Sequence, residues 1–183
     1  MTWRTIALLL SVTLGPAISH AGSGDLAYNN GVDAWRVKNY AEARLQWERS
    51  LAAGGPDEAL NNLGYLLYHG QGGPVDRVRA VELWRKGAAL GVSEAQFHLG
   101  EAHEAGGGVS RNAAVAYAWY RCAAKTAGRL SGADATELAI QSDALAALAK
   151  ISPSLSSAER VEGDRLAAEY FAKYGTRLTS GKP

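Results

Sequence analysis

The chain has 183 residues, 47% of them apolar, and a formal net charge of +1. This size and apolar share supply one continuous hydrophobic core, which argues against an intrinsically disordered chain. Arg4 is the only charged residue before Ala21, so the remainder carries 18 basic and 18 acidic side chains. Because no excess of positive charge remains, we expect neither nucleic acid nor anionic lipid as a partner.

The first 21 residues have the pattern of an export signal. Arg4 is followed by an apolar run from Ile6 to Leu14, a helix-breaking Gly15-Pro16 pair, and small residues at Ser19 and Ala21. We expect cleavage after Ala21 and a mature chain that is periplasmic or secreted, with no membrane span. The alternative, an uncleaved anchor, is disfavoured because the apolar run has about half of the roughly 20 residues that span a bilayer.

Small and aromatic residues then recur at an offset of 36. The pairs include Leu63-Gly64 with Leu99-Gly100, Gly70 and Gly72 with Gly106 and Gly108, Ala80 with Ala116, and Trp84 with Tyr120. A degenerate upstream copy matches through Ala43, Trp47 and Gly54 at an offset of 37, with Gly31 in the place of Gly64. Such a period is the signature of a solenoid of supersecondary units.

Each unit is predicted to be a pair of helices. In the central unit the first helix is predicted from about Asp57 to His69, ended by Gly70, and the second from about Asp76 to a stop at Gly91, with both aspartates as caps. In the next unit Ser93 and Asn112 are the predicted caps. Glycine inside a helix costs about 1 kcal/mol, so Gly64 and Gly100 are predicted to let paired helices approach closely. Trp84 and Tyr120 are predicted to fill the space between neighbouring pairs.

After Gly128 the repeat is no longer recognisable. A linker over 128–132 is predicted to lead to a helix from Asp134 to Lys150, with a capping box between Asp134 and Glu137 and an inner face of Leu138, Leu145 and Leu148. A last helix with a Ser156–Glu159 capping box is predicted to carry Val161, Leu166, Tyr170 and Phe171 and to end at Gly175. The predicted divisions are a signal over 1–21, repeats over 22–128 (25–54, 57–91 and 93–128), capping helices over 129–176 and a tail over 177–183.

The repeated motif resembles the Sel1-like repeat, a bacterial relative of the tetratricopeptide repeat. The resemblance spans about Asp57 to Gly128 and is carried by Leu63-Gly64, Gly70-x-Gly72, Asp76, Arg79-Ala80, Trp84, Lys86 and Ala88, with their counterparts 36 residues on. Three positions depart from the family pattern, namely Gly73, Asn112 and Cys122. The resemblance implies an all-α, right-handed α/α superhelix whose members mostly mediate protein–protein contacts, and it does not name a partner.

Residue patterns that catalysis or metal binding requires are not found. The glycine loops at 70–73 and 106–108 lack a following Gly-Lys-Ser/Thr, so they are predicted to end helices. His98 and His103 project about 140° apart on a helix, which disfavours a shared metal and favours surface or edge positions. Cys122, the only cysteine, is predicted to be a partly buried thiol, with an intermolecular disulfide as the alternative. We therefore predict no enzyme activity, no metal and no cofactor.

The resemblance also implies a binding surface, because first helices line the concave side of the tetratricopeptide fold. The residues placed there are Tyr28, Val32, Trp35, Asn61, Tyr65, Tyr68, Phe97, Glu101 and Glu104. Such an aromatic and amide-lined groove suits an extended peptide or a partner helix. The alternative is that the aromatic rings only pack within the stack, and this is favoured for Trp35 because large aromatic side chains are usually buried.

Two functions remain open. The first is an exported scaffold that binds a protein or peptide in envelope assembly or signalling. The second is binding or hydrolysis of cell-wall glycans or β-lactams. The second is disfavoured because relatives with such roles depend on paired cysteines, which this chain lacks.

Overall fold

The computed structural model describes residues 21–130, 132 and 134–175, so the predicted export signal up to residue 20 and the predicted tail lie outside the described residues. The described part contains eight α-helices, one short 3-10 turn and no strand, which confirms the all-α prediction. The helices are α1 (Ala21–Arg36), α2 (Tyr40–Ala52), α3 (Glu58–His69), α4 (Arg77–Ala89), α5 (Ser93–Ala105), α6 (Ala113–Leu130), α7 (Ala135–Ile151) and α8 (Ser157–Tyr174).

The first six helices form three consecutive pairs, α1 with α2, α3 with α4, and α5 with α6. Each pair packs mainly against the next, through α2 on α3 and α4 on α5. This arrangement is a helical repeat solenoid, in which every unit buries its apolar faces against its neighbours. The degenerate upstream copy is also a helix pair, as its matching residues predict.

Local sequence signals determine where the central helices begin and end. Gly70 and Gly106 end α3 and α5 with φ angles of 68° and 73°, a left-handed conformation that glycine adopts without steric cost. The side chains of Asp76 and Asn112 accept hydrogen bonds from backbone N–H groups in the first turns of α4 and α6, each at 3.0 Å. Both glycine stops and both of these caps are confirmed.

Two other predicted caps are wrong. Asp57 precedes α3 but its side chain accepts no capping hydrogen bond. Val92 precedes α5, and Ser93 is already the first helical residue. The hydroxyl of Ser93 instead donates to the carboxylate of Glu137 at 2.7 Å. A long-range partner in α7 has therefore replaced the local cap.

An aromatic ring rests on a glycine in each repeat unit. A Cβ added at Gly64 would lie 2.5 Å from Nε1 of Trp84, and one at Gly100 would lie 2.5 Å from the ring of Tyr120. A Cβ at Gly31 would overlap Trp47 in the same way. These glycines make room for the ring of the partner helix, so the contact at each glycine is between its backbone and an aromatic side chain. The rings of Trp84 and Tyr120 are themselves buried, as predicted.

The last two helices both pack against α6. Helix α7 runs parallel to α5, because Ser93 pairs with Glu137 at their first turns and Glu104 pairs with Lys150 at their last turns. Helix α8 runs parallel to α6, with Tyr117 donating to Asp164 and, further along, Arg129 donating to the carbonyl oxygen of Gly175. Both helices therefore cover the third pair.

Details of this region differ from the predictions. Helix α6 continues to Leu130, so no linker begins at Gly128. Asp134 caps α7 through the N–H of Thr136 and forms no capping box, because Glu137 is bonded to Ser93. Leu138 and Leu145 are 52% and 53% exposed, and the buried face of α7 consists of Ile140, Ala144 and Ile151. Leu148 packs against this core, as predicted. Helix α7 carries alanines on several of its faces, so the spacing of apolar residues alone did not determine which face is buried.

The last helix agrees more closely with its prediction. The capping box between Ser156 and Glu159 is confirmed, and α8 ends at Gly175. Tyr170 and Phe171 pack against the core, and the ring of Tyr170 stacks on Trp119 at 4.3 Å. Val161 is exposed, so the inner face of α8 begins only after its first turn.

Candidate functional site

The row of first helices carries a groove of about 560 Å³. Five of the nine residues predicted for the concave surface line it, namely Tyr28, Val32, Trp35, Asn61 and Tyr65. Its other lining residues are Trp47, Asn62, Glu94 and Thr136. The groove thus extends from α1 across α3 to the first turns of α5 and α7.

Trp35 departs from the sequence-based expectation that it packs within the stack. Its side chain is 46% exposed and lies on the wall of the groove. Among the described residues no helix pair precedes α1, so no neighbouring unit covers this end of the helix. Tryptophan is enriched among the residues that contribute most to binding, so an exposed indole on a groove wall is a candidate contact.

Two polar atoms in the groove lack a hydrogen-bond partner within the described part of the chain. Asn61 and Trp47 are only 2% and 3% exposed, yet the Oδ1 atom of Asn61 and the Nε1 atom of Trp47 are both unpaired. In the next unit Nε1 of Trp84 donates to the backbone oxygen of Asn61 at 3.2 Å, so the corresponding bond of Trp47 is missing. An unpaired buried group costs about 1–3 kcal/mol. Both atoms are covered by neighbouring protein atoms, and Nε1 of Trp47 lies against Gly31 of α1.

The end of the groove near α5 is negatively charged. Burial raises the pKa of Glu94 above its usual range. Burial, and then the carboxylates of Glu58 and Glu94, raise the pKa of Tyr28. Burial also raises the pKa of Glu137, and the neighbouring carboxylates Asp134, Glu94 and Glu58 add to this shift. Three carboxylates, from α3, α5 and the residue before α7, thus act on Glu137.

The other four predicted residues have partners inside the protein and do not line the groove. The ring of Tyr68 lies 5.1 Å from that of Trp84, and the ring of Phe97 lies 5.5 Å from that of Tyr120. The carboxylate of Glu101 is 2.7 Å from Nδ1 of His98. Glu104 accepts hydrogen bonds from Tyr120 at 2.7 Å and from Lys150 at 3.1 Å. Helix α7 therefore engages most of the third unit, and the groove reaches that unit only at the first turn of α5.

His98 is not at the surface, contrary to the prediction. Its ring is buried and stacks on Trp84 with centroids 4.9 Å apart, and it lies 5.6 Å from the ring of Tyr65. It fills the contact between the second and third pairs. The prediction was wrong because it considered metal spacing alone, whereas the ring serves as an aromatic filler beside Trp84.

Four lining residues were not predicted. Asn62 adjoins Asn61, and Glu94 repeats Glu58 at the offset of 36, so the sequence held a signal for both. Trp47 was recognised only as the counterpart of Trp84 in the degenerate copy, and it also packs in the core. Thr136 had no signal, because its position depends on how α7 packs.

The cysteine and the possible metal ligands do not form a reactive site in the described part of the chain. Cys122 is fully buried rather than partly buried, and burial raises the pKa of its thiol to about 12. Within residues 21–130, 132 and 134–175, no three His, Cys, Asp or Glu side chains converge as a metal site would require. Over the same residues, no helix combines the length and apolar character needed to cross a bilayer.

Comparison with known proteins agrees with this architecture. The sequence profile of the Sel1 repeat matches residues 57–92 and 93–125. A protective antigen of uropathogenic Escherichia coli strains, which displays an SLR fold, superposes with a TM-score of 0.71 at 23% identity, covering 88% of this chain and 34% of that one. A Sel1 repeat protein from Oxalobacter formigenes superposes with a TM-score of 0.57 at 26% identity, covering 78% of this chain and 55% of that one. This chain thus spans about a third and about half of their lengths. No curated protein sequence matches it significantly.

Proposed function

Because this chain is a Sel1-like repeat protein, we propose that it is an exported scaffold whose groove binds an extended peptide segment of a partner protein. Sel1 repeats generally mediate protein interactions, and their proteins are typically non-catalytic. The proposal adds a location, the cell envelope, and a binding surface, the groove of α1, α3 and α5.

The observation that carries the proposal is the exposed ring of Trp35 on the wall of a groove that the side-chain amides of Asn61 and Asn62 also line. An extended peptide presents free N–H and C=O groups to its surroundings, and side-chain amides can pair with both. A partner helix would not do so, because its backbone groups are already bonded to one another. The rings of Tyr28, Trp35 and Tyr65 add apolar contact area in the same groove.

Photo-crosslinking in the living cell tests the groove. A photoreactive amino acid placed at Trp35 should crosslink to one segment of one partner, and the same residue placed at Val161 on α8 should not. A synthetic peptide with the crosslinked sequence should then bind the purified protein and lose binding in Asn61→Leu. Equal crosslinking at both positions, or unchanged peptide binding in Asn61→Leu, would contradict the groove assignment.

Export is supported by the charge, apolar run and small residues of the first 21 positions. Fractionation followed by intact-mass measurement should find a periplasmic or secreted chain that begins at Gly22. Ala21→Arg should block this processing, because signal cleavage requires a small residue there. An unprocessed chain in the cytoplasm would contradict the proposed location.

A hydrolytic role gives a different result in a simple assay. Purified protein incubated with labelled peptidoglycan fragments and with β-lactams should leave both unchanged. Turnover of either compound would contradict the scaffold proposal.

A further inference from the structure

We propose that the groove selects peptides with a basic side chain, Lys or Arg, which pairs with the carboxylate of Glu94 beside the rings of Tyr28 and Tyr65. This inference rests on the proposed function and names the chemistry of its ligand. It predicts a specificity, whereas the proposed function predicts only that a peptide binds.

Glu94 is the one charged residue among the groove-lining residues in the described part of the chain. Its side chain is half-buried, and within that part it accepts no hydrogen bond and forms no ion pair. Three other carboxylates on this row of helices are paired, Glu101 with His98, Glu104 with Lys150, and Glu137 with Ser93. A partly buried carboxylate without a partner is costly, so a cation supplied by a ligand would be strongly favoured there.

The surrounding charges select the sign of the ligand. The carboxylates of Glu58, Glu94 and Asp134 all act on Glu137, and the first two also act on Tyr28. At Glu94 itself, burial raises the pKa and His98 lowers it. A peptide with an acidic side chain at this end would meet like charge, whereas a basic one would meet opposite charge in a partly desolvated site.

The aromatic lining suits a cation as well. Tyr28, Trp35 and Tyr65 line the same groove as Glu94, and the face of an aromatic ring attracts an ammonium or guanidinium group. The side-chain amides of Asn61 and Asn62 line the groove as well and would hold the peptide backbone. One ligand residue can therefore be bound through its main chain and recognised through its side chain.

Peptide selection tests this specificity directly. A random library of displayed nine-residue peptides is panned against the full exported chain, against Glu94→Gln, and against Glu82→Gln as a control on the exposed face of α4. Peptides selected by the unaltered chain should share Lys or Arg at one position. Glu82→Gln should select the same peptides, and Glu94→Gln should select peptides without this preference.

Affinities of synthetic peptides give the magnitude. The best peptide with capped termini should bind about tenfold more tightly than its Lys→norleucine version, which corresponds to the loss of one charged contact. In Glu94→Gln the two peptides should bind within about twofold of each other. Circular dichroism of each variant checks that the helices are retained.

The outcomes separate the two proposals. Selected peptides that need Asn61 but lack a basic preference, or a basic preference that persists in Glu94→Gln, would overturn the inference and leave the proposed function standing. If no peptide is selected, or if selected peptides bind Asn61→Leu equally well, the proposed function fails and this inference fails with it.

Discussion

Gly64→Ala tests whether the helix pairs depend on a glycine that receives an aromatic ring. The added Cβ would lie 2.5 Å from Nε1 and 2.8 Å from Cδ1 of Trp84. The indole cannot easily move away, because it is buried and donates to the backbone of Asn61 at 3.2 Å. The rings of Tyr68 and His98 hold its other sides, with centroids at 5.1 Å and 4.9 Å.

Three effects determine the magnitude. Overpacking a rigid core costs about 1–3 kcal/mol, and a displaced indole would also lose its hydrogen bond, which contributes about 1 kcal/mol. Alanine in place of glycine inside a helix returns about 1 kcal/mol. We therefore expect Gly64→Ala to lower the free energy of unfolding by about 2 kcal/mol.

Urea denaturation followed by far-ultraviolet circular dichroism measures this change. Gly128→Ala in α6 is the matched control, because its Cβ would meet only the flexible amide end of Gln141. We expect the control to be neutral or to stabilise by up to about 1 kcal/mol. In a Trp84→Leu background, Gly64→Ala should cost little. A Gly64→Ala protein as stable as its parent, or an equal cost in both backgrounds, would refute the reasoning.

Three further outcomes follow from the described contacts. Since burial raises the pKa of Cys122 to about 12, a disulfide reagent at pH 8 should modify this thiol only after unfolding, and rapid modification of the folded protein would contradict its burial. Burial opposes ionisation of Glu104, but hydrogen bonds from Tyr120 and Lys150 outweigh it and lower the pKa below 4.5. The resulting stability is fully present above pH 4.5 and lost as the pH falls further, so Glu104→Gln should flatten the acid limb of a stability–pH curve, which an unchanged limb would disprove. Ser156→Ala should lower the free energy of unfolding by about 1 kcal/mol, as measured by urea denaturation, and no loss would show that the capping box is dispensable.

Features of the fold that depend on nearby residues were predictable from the sequence. The spacing of 36 identified the helix pairs, and Gly70, Gly106, Asp76 and Asn112 mark helix ends because a left-handed glycine or a capping oxygen acts within one turn. The capping box at Ser156 is equally local. These interactions are encoded within a few residues of where they act, so their outcome depends little on tertiary packing.

Features that depend on distant partners were not predictable in the same way. The hydroxyl of Ser93 donates to Glu137, 44 residues away, and does not cap its own helix. The inner face of α7 was misassigned because its alanines allow several faces to pack, and α5 and α6 decide between them. Gly64 was recognised as a close-contact position, but which atoms approach it follows only from the orientation of Trp84.

The candidate groove shows the same division. The register of the first helices placed Tyr28, Asn61 and Tyr65 on one surface, and the structure brings them together. The same register also placed Phe97 and Glu104 there, although α7 draws Glu104 into a bond with Lys150. Because α7 lacks the repeat motif, the repeat period could not predict that α7 packs along α5.

The position of α7 limits the length of ligand that the protein can contact. Thr136 stands where the groove reaches the third unit, and Glu137 and Lys150 tie α7 to both ends of α5. A polypeptide that binds along the inner surface would thus be stopped after two units, because α7 covers most of the third. Longer arrays grip extended ligands along many turns, whereas this geometry favours recognition of a brief motif, in which one or two residues decide the choice.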